Sequence, residues 1–383
     1  MNPTISPSPS NVPAAPVFAA GHERVRFHRL IEEIRGAARQ HIVGLDATLD
    51  LLLVALFAGG HVLVESTPGL GKTTLAKVLA GVSGLPFGRV QFTPDLLPFD
   101  ILGSERPVSD TAGEGPRLKF TPGPIFTTFL LADEINRAPP KTQAALLEAM
   151  AERQVTIASV GQRLALSPLF FVLATQNPIE MEGTYELPEA QLDRFMMKLH
   201  IDVPDEDQLE RLIEQQQDRH RRPVPIDPIV PRFFGLATDT PEAVSAQLKH
   251  LADAAIAQMA SFPFRREVAQ LVRVTNLQRL MPRVPTKQTL PEFSAVPLAL
   301  QQRTWNEIAE GASPRAALDL VRAAQVMALL EDRAIADWKH VRRVAPSVLG
   351  HRLTPTFDGA ALRRRAMMQG YIEELCDAVA PKG

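Results

Sequence analysis

Short apolar runs alternate with amphipathic stretches along the first half of the chain. HVLVES (61–66) is an apolar, β-branched run. It gives way to Pro-Gly-Leu-Gly and then to KTTLAKVLAGVSG, whose apolar residues recur at helical spacing. Further strand candidates are GRVQF (88–92), TTFLLAD (127–133), PLFFVLAT (168–175) and MMKLHID (196–202). Continuous apolar runs of this length suit parallel strands buried on both faces, and helices between them suit βαβ crossovers. AALLEAMAERQ (144–154) reads as a helix. The segment 103–124 carries turn residues at its centre and predicts an exposed hairpin or loop between two buried elements.

After Pro204 the strand signals fade. DEDQLERLIEQQQDRH, PEAVSAQLKHLADAAIAQMA, RREVAQLVRVTNLQRL and PRAALDLVRAAQVMALLEDRA rest on Ala, Leu, Gln and Glu with apolar residues three and four apart. The pattern predicts an α/β domain with a parallel sheet over 22–204 and a separate all-α domain over 205–383. Two Pro-rich stretches inside the latter, 219–232 and 281–299, are expected to be irregular. No repeat of fixed period is visible.

Length agrees with this division: 383 residues at ~150 per domain make two to three units. Residues 1–20 are rich in Pro, Ser and Ala and hold no charged side chain, which predicts a disordered tail over 1–21. That tail lacks the basic start of a signal peptide, and no apolar run reaches ~18 residues, so a cytoplasmic protein without membrane insertion is expected. Lone Cys376 excludes an internal disulfide and a cysteine zinc site. A net charge of −2 gives no whole-chain basic footprint for nucleic acid.

Chemistry concentrates at three strand ends. Residues 66–73 read Ser-Thr-Pro-Gly-Leu-Gly-Lys-Thr, the phosphate-loop pattern with Ser66 in place of its first glycine. Backbone N–H groups of such a loop and the positive end of the following helix cradle phosphate oxygens. Pro68, Gly69, Leu70, Gly71, Lys72, Thr73 and Thr74 are therefore the nucleotide-binding candidates. Lys72 would reach the β- and γ-phosphates, and the Thr73 hydroxyl would bind Mg²⁺. The bland alternative is an ordinary glycine-rich β–α turn, which the flanking strand and helix disfavour.

The apolar run Phe129–Ala132 ends in Asp133 and Glu134. Asp133 would hold Mg²⁺, and Glu134 would orient and deprotonate the attacking water. Taken alone, two acids at a strand end would be a solvated surface; a phosphate loop about 60 residues upstream reverses that reading. A third run ends in Ala174-Thr175-Gln176-Asn177-Pro178, whose amide could position the water. By itself it is no more than an Asn-Pro turn. Arg194 and Arg315, each a surface arginine if isolated, have the side chain suited to clamping phosphate.

Together these strings resemble the MoxR family of AAA+ ATPases. The resemblance is carried by VQFTPDLLP (90–98), GPIF (123–126), ADEINRAPPKTQAALLEAM (132–150), ATQNPIE (174–180), GTYELPEAQLDRF (183–195) and GASPR (311–315). It implies a P-loop NTPase (AAA+) domain followed by a helical lid, with ATP and Mg²⁺ as cofactors. It implies Asn177 as sensor 1, Arg194 as an arginine finger acting on ATP of the neighbouring subunit, and Arg315 as sensor 2. His41, Ile42, Val43 and Gly44 would line the adenine pocket, with Leu45 where a polar Gln is common. Segments 98–124 and 152–167 match inserts that would face a central pore and a substrate protein. The resemblance further implies a hexameric homo-oligomer that matures or remodels a client protein complex with a von Willebrand factor A domain partner. No Asp-x-Ser-x-Ser motif occurs in this chain, so that partner would be another protein. A nucleic-acid-acting ATPase is the rival reading; the near-neutral charge weighs against it.

Overall fold

The computed structural model describes residues 22–381 except 68, 109–116, 158–161, 178–182, 222–224, 237–240, 282, 287–292 and 357–360. The expected tail and Pro68 lie outside the described residues.

Helix α1 (Glu23–Arg39) buries Phe27, Leu30, Ile31, Ile34 and Ala38, one face at helical spacing. Helix α2 (Asp46–Ala58) buries nearly its whole second half and stops at Gly59 in the left-handed region. Strand β1 (Val62–Glu65) then leads through the glycine-rich loop into α3 (Lys72–Ser83). Strand β2 (Phe87–Gln91), α4 (Pro98–Leu102), β3 (Gly103–Val108), β4 (Arg117–Pro122) and β5 (Phe129–Asp133) follow. Next come α5 (Pro140–Glu152), β6 (Gln154–Ile157), β7 (Gln162–Ala165), β8 (Phe171–Gln176), α6 (Glu189–Leu192) and β9 (Met197–His200).

The central sheet has the order β2-β5-β8-β1-β9, and every pairing in it is parallel. Alternate residues of its strands enter two different cores. Val62, Val64, Leu131 and Leu173 join one apolar cluster; Leu63, Leu130, Ala132 and Ala174 join the other. That is why the strands read as unbroken apolar runs rather than as an alternation. All five expected strands are present with ends moved by one to three residues. The largest move is at β8, where Pro168 cannot donate to a ladder and Phe170 N–H instead closes a turn on Ser167 O at 2.8 Å.

Two antiparallel hairpins stand outside the sheet. β3 pairs with β4, so the turn-rich segment takes the hairpin form of the two it allowed, and β6 pairs with β7. The root of the first is tight: a Cβ on Gly123 would lie 2.2 Å from Ile101 O, so only glycine fits there.

The remainder is mainly helical: α7 (Glu206–Arg221), α8 (Ile229–Phe234), α9 (Pro241–Ala257), α10 (Arg265–Val274), α11 (Leu277–Leu280) and α12 (Leu298–Glu307). Strand β10 (Ile308–Glu310), α13 (Pro314–Leu330), α14 (Trp338–Leu349), β11 (Thr354–Pro355) and α15 (Ala361–Val379) complete it. The β10–β11 pair is an addition to the expected all-helical lid; strands this short leave no periodic trace in sequence. The 219–232 stretch is more regular than its prolines suggested. α7 runs to Arg221, and α8 begins after Pro228 with Pro231 in its first turn, where a missing N–H does no harm. Helices α9, α10, α13, α14 and α15 share one apolar cluster with α1, α2 and α3. Among the described residues, no helix is long and apolar enough to cross a membrane.

Candidate nucleotide site

The carboxyl ends of β1, β5 and β8 lie side by side, which is where open α/β sheets bind ligands. Beyond β1, Gly69 and Gly71 have φ of 86° and 77°. This left-handed backbone admits glycine readily and side chains rarely. Lys72 opens α3, and its Nζ donates to Ser66 O at 2.9 Å, so the lysine folds back across the loop. Ser66 is buried and donates from Oγ to Thr67 O; its hydroxyl serves the loop itself. Thr73 and Thr74 occupy the first turn of α3, where N–H groups have no carbonyl partner within the helix.

Asp133 and Glu134 terminate β5 as expected. Asp133 is buried and accepts from Thr175 Oγ1 at 2.7 Å and from Arg89 Nη2 at 2.8 Å. Glu134 has left-handed φ and ψ of 57° and 50°, a costly conformation for a non-glycine residue. Its carboxylate accepts from Gln91 Nε2 at 2.7 Å and pairs with Arg137 Nε at 3.0 Å. Its backbone N–H donates to Thr175 Oγ1 at 2.9 Å. Thr175, fully buried, therefore ties both acids to β8 with one hydroxyl. Asn177 is buried just beyond β8, beside the loop, since Ser66 N–H reaches Gln176 O. A hydroxyl and a carboxylate oxygen are the hard donors Mg²⁺ prefers, so Thr73 and Asp133 are the candidates to hold it.

Below the loop, Glu65 is held below its usual carboxylate value. Burial opposes this, and Lys198 beside it prevails. His200 on β9 is pushed down to about 4, chiefly by burial.

The structure brings Lys72, Thr73, Asp133, Glu134 and Asn177 together. Arg194 and Arg315 lie elsewhere: Arg194 precedes β9, whose Met197 pairs with Val62 at the amino end of β1, and Arg315 opens α13. Arg194 donates from Nη1 to Leu147 O on α5 at 2.6 Å. Arg315, half exposed at the start of α13, reaches Asp193 O at 3.4 Å and lies 3.8 Å from the Asp193 carboxylate. His41 and Ile42 are buried in the α1–α2 loop, Val43 is half-buried, and Gly44 has a φ of 75°. Helix α7 lies against that loop. Gln215 Nε2 donates to Gln40 O at 2.9 Å, and a Cβ on Gly44 would meet Gln208 at 2.8 Å.

Four residues at this site were not singled out from sequence: Arg89, Gln91, Arg137 and Thr175. Arg89 and Gln91 sit at alternate positions of an otherwise apolar strand. That period-two spacing is the one signal that points them to a common face.

A phosphate loop after β1, paired acids at the end of β5, a buried asparagine after β8 and a helical lid define an AAA+ P-loop ATPase. Residues 61–197 match the ATPase family associated with various cellular activities (AAA), and residues 300–369 match the AAA lid domain. The chain is similar to Chaperone MoxR1 of Mycobacterium tuberculosis, 36% identical over 84% of this chain and 74% of that protein. It is also similar to Protein MoxR of Methylorubrum extorquens, 32% identical over 88% of this chain and 91% of that one. A solved structure of an inferred ATPase from Cytophaga hutchinsonii superposes with a TM-score of 0.73 at 31% identity, covering 92% of this chain and 96% of that one. The chain belongs to the MoxR family of AAA+ ATPases.

Proposed function

We propose that this ATPase works as a ring of identical subunits, hydrolysing Mg²⁺-bound ATP between neighbours to remodel a client protein complex in the cytoplasm. The observation that carries this reading is the separation of the two arginines from the acidic pair. Arg315 pairs with Asp193, the chain neighbour of Arg194, and Arg194 itself binds Leu147 O just ahead of β9 at the sheet's amino end, whereas Glu134 and Lys72 stand at its carboxyl rim. A second copy, packed head to tail, would bring both arginines to the phosphates.

In this mechanism the glycine loop and the α3 N-terminus bind the phosphates, and Lys72 leaves Ser66 O for the β- and γ-oxygens. Bound Mg²⁺, held by Thr73 and Asp133, would neutralise charge developing on the phosphates. Thr175 fixes the backbone of Glu134, so that its carboxylate is aimed by the strand end rather than by a mobile loop. Glu134 takes the proton of the attacking water once it has exchanged its bonds to Gln91 and Arg137 for that water. Asn177 orients the water or the γ-phosphate. His41 to Gly44, with α7 over them, receive the base.

The β3–β4 and β6–β7 hairpins are the proposed client-facing elements. Leu97 and Phe99, beside the first hairpin, are large and exposed, 47% and 53%, as a surface that grips unfolded protein requires. A von Willebrand factor A domain protein would be the partner in trans.

Mixing Arg194→Ala chains with Lys72→Ala chains tests the ring. Each is inactive alone, and mixed rings should recover turnover at sites built from one chain's Lys72 and the other's Arg194. No recovery in rings shown to be mixed would remove the shared site.

A further inference from the structure

The residue that bears Arg194 does not hold itself in place. The segment Asp193-Arg194-Phe195 lies between α6 and β9, and its polar backbone is gripped by the helical part of the same chain. Arg352 is the centre of that grip. Its side chain is 2% exposed. Nη2 donates to Asp193 O at 3.1 Å, to Phe195 O at 3.0 Å and to Asp319 Oδ2 at 2.6 Å. Nε lies 2.9 Å from Asp193 Oδ1. The carbonyls bracketing Arg194 on both sides are thus bound by one guanidinium.

The surrounding contacts act on the same three residues. His351 Nε2 donates to Phe195 O at 3.0 Å, its ring kept neutral by burial. Ser313 Oγ donates to Asp193 Oδ1 at 2.9 Å. Asp319 lies on α13 little more than one turn from Arg315, so Arg352 also anchors the helix whose first turn carries Arg315. A planar fork with fixed donor angles suits such a joint, since it constrains directions as well as distances.

We propose that Arg352 is the positioning residue of this ATPase, setting Arg194 and Arg315 relative to each other so that both cations meet one set of phosphates in the adjoining subunit. This rests on the shared-site reading above. It adds that movement of a chain's helical part is transmitted through Arg352 to the site its arginines serve, and not first to its own phosphate loop.

A chain-specific substitution separates this role from plain stability. In the mixed rings, Lys72→Ala chains donate Arg194 and Arg194→Ala chains hold the ATP. Arg352→Met is introduced into one chain type at a time, with ring formation checked by sedimentation. The recovered turnover should fall at least tenfold more when the change is in the finger-donating chain than when it is in the ATP-holding chain. A merely structural arginine would cost the same in both, and equal losses overturn the proposal. If Arg352→Met does not fold, Arg352→Lys replaces it; the single ammonium cannot span Asp193 O, Phe195 O and Asp319, so the same asymmetry is expected at smaller size. If the mixture without any Arg352 change shows no recovery, the shared-site reading fails first, and this inference falls with it.

Discussion

His61 makes the sheet sensitive to acid in a way that can be worked out from its contacts. It stands immediately before β1 and is 4% exposed. Its Nδ1 accepts from Val172 N–H at 3.1 Å, and its Nε2 lies 3.3 Å from Met150 O, which fixes the neutral tautomer with the proton on Nε2. Burial pushes its pKa down to about 3, with the nearby Arg153 guanidinium adding to the shift. A second proton on Nδ1 would confront the Val172 N–H donor. The unfolded chain, whose histidine titrates near 6.5, therefore binds a proton that the folded chain refuses anywhere between pH 6.5 and 3. Stability contributed by His61 is present above pH 6.5 and falls as the pH drops. The loss between pH 7 and 5 is roughly 2 kcal/mol. His61→Asn keeps an acceptor for Val172 but does not titrate. It should cost about 1–3 kcal/mol at pH 7, from the donor and volume removed. Urea unfolding of both proteins at pH 7, 6 and 5 is the assay. The gap between them should close by about 2 kcal/mol on acidification. His200 and His351, also depressed by burial, add slope to both curves equally and cancel in the difference. Parallel curves would refute the reasoning.

Glu134→Gln should bind ATP normally, measured by fluorescent nucleotide, while turnover falls by about 10²–10⁴, the usual contribution of a general base. Thr175→Val keeps shape and burial but leaves the Glu134 N–H without its acceptor; ATP affinity should hold and turnover should drop about 10- to 100-fold, following the ~1–3 kcal/mol of an unmade buried hydrogen bond. Gly311→Ala would place a Cβ 2.4 Å from Thr275 O, just ahead of Ser313 and Arg315. It should lower stability by about 1–3 kcal/mol in a melt, and relocation of a bulky neighbour cannot relieve it because the obstacle is backbone.

The sheet was legible because burial on both faces writes itself into local composition. Leu130 and Leu131 are adjacent in sequence yet enter opposite cores, so no polar residue interrupts them. The glycines of the phosphate loop were legible for a similar reason: a left-handed backbone restricts residue type at the position itself. What escaped the sequence is held by distant partners. Arg352 appears as one more arginine at the end of a helix, and its contacts Asp319 and Asp193 are 33 and 159 residues away. Gln91 is 43 residues from Glu134. No periodicity reports a contact across such separations; only the fold brings those side chains into register. Proline misled for a related reason: Pro231 counts as a helix breaker by type but sits where the helix needs no N–H from it.

The hairpin that begins at Gly103 has its root closed upon itself. Gly103 pairs with Pro122, and Gly123 fits against Ile101 O with no room for a side chain. Nothing in the five-stranded sheet uses this ladder for its own pairing. The hairpin is accordingly a separate ladder, and exchanging it should leave ATP turnover in the absence of a client unchanged, which an ATPase assay on the exchanged protein checks. Under the proposed client-facing role, selection for new clients and selection for catalysis would act on separate parts of one chain, and transplanting the 104–121 segment between relatives would redirect the machine.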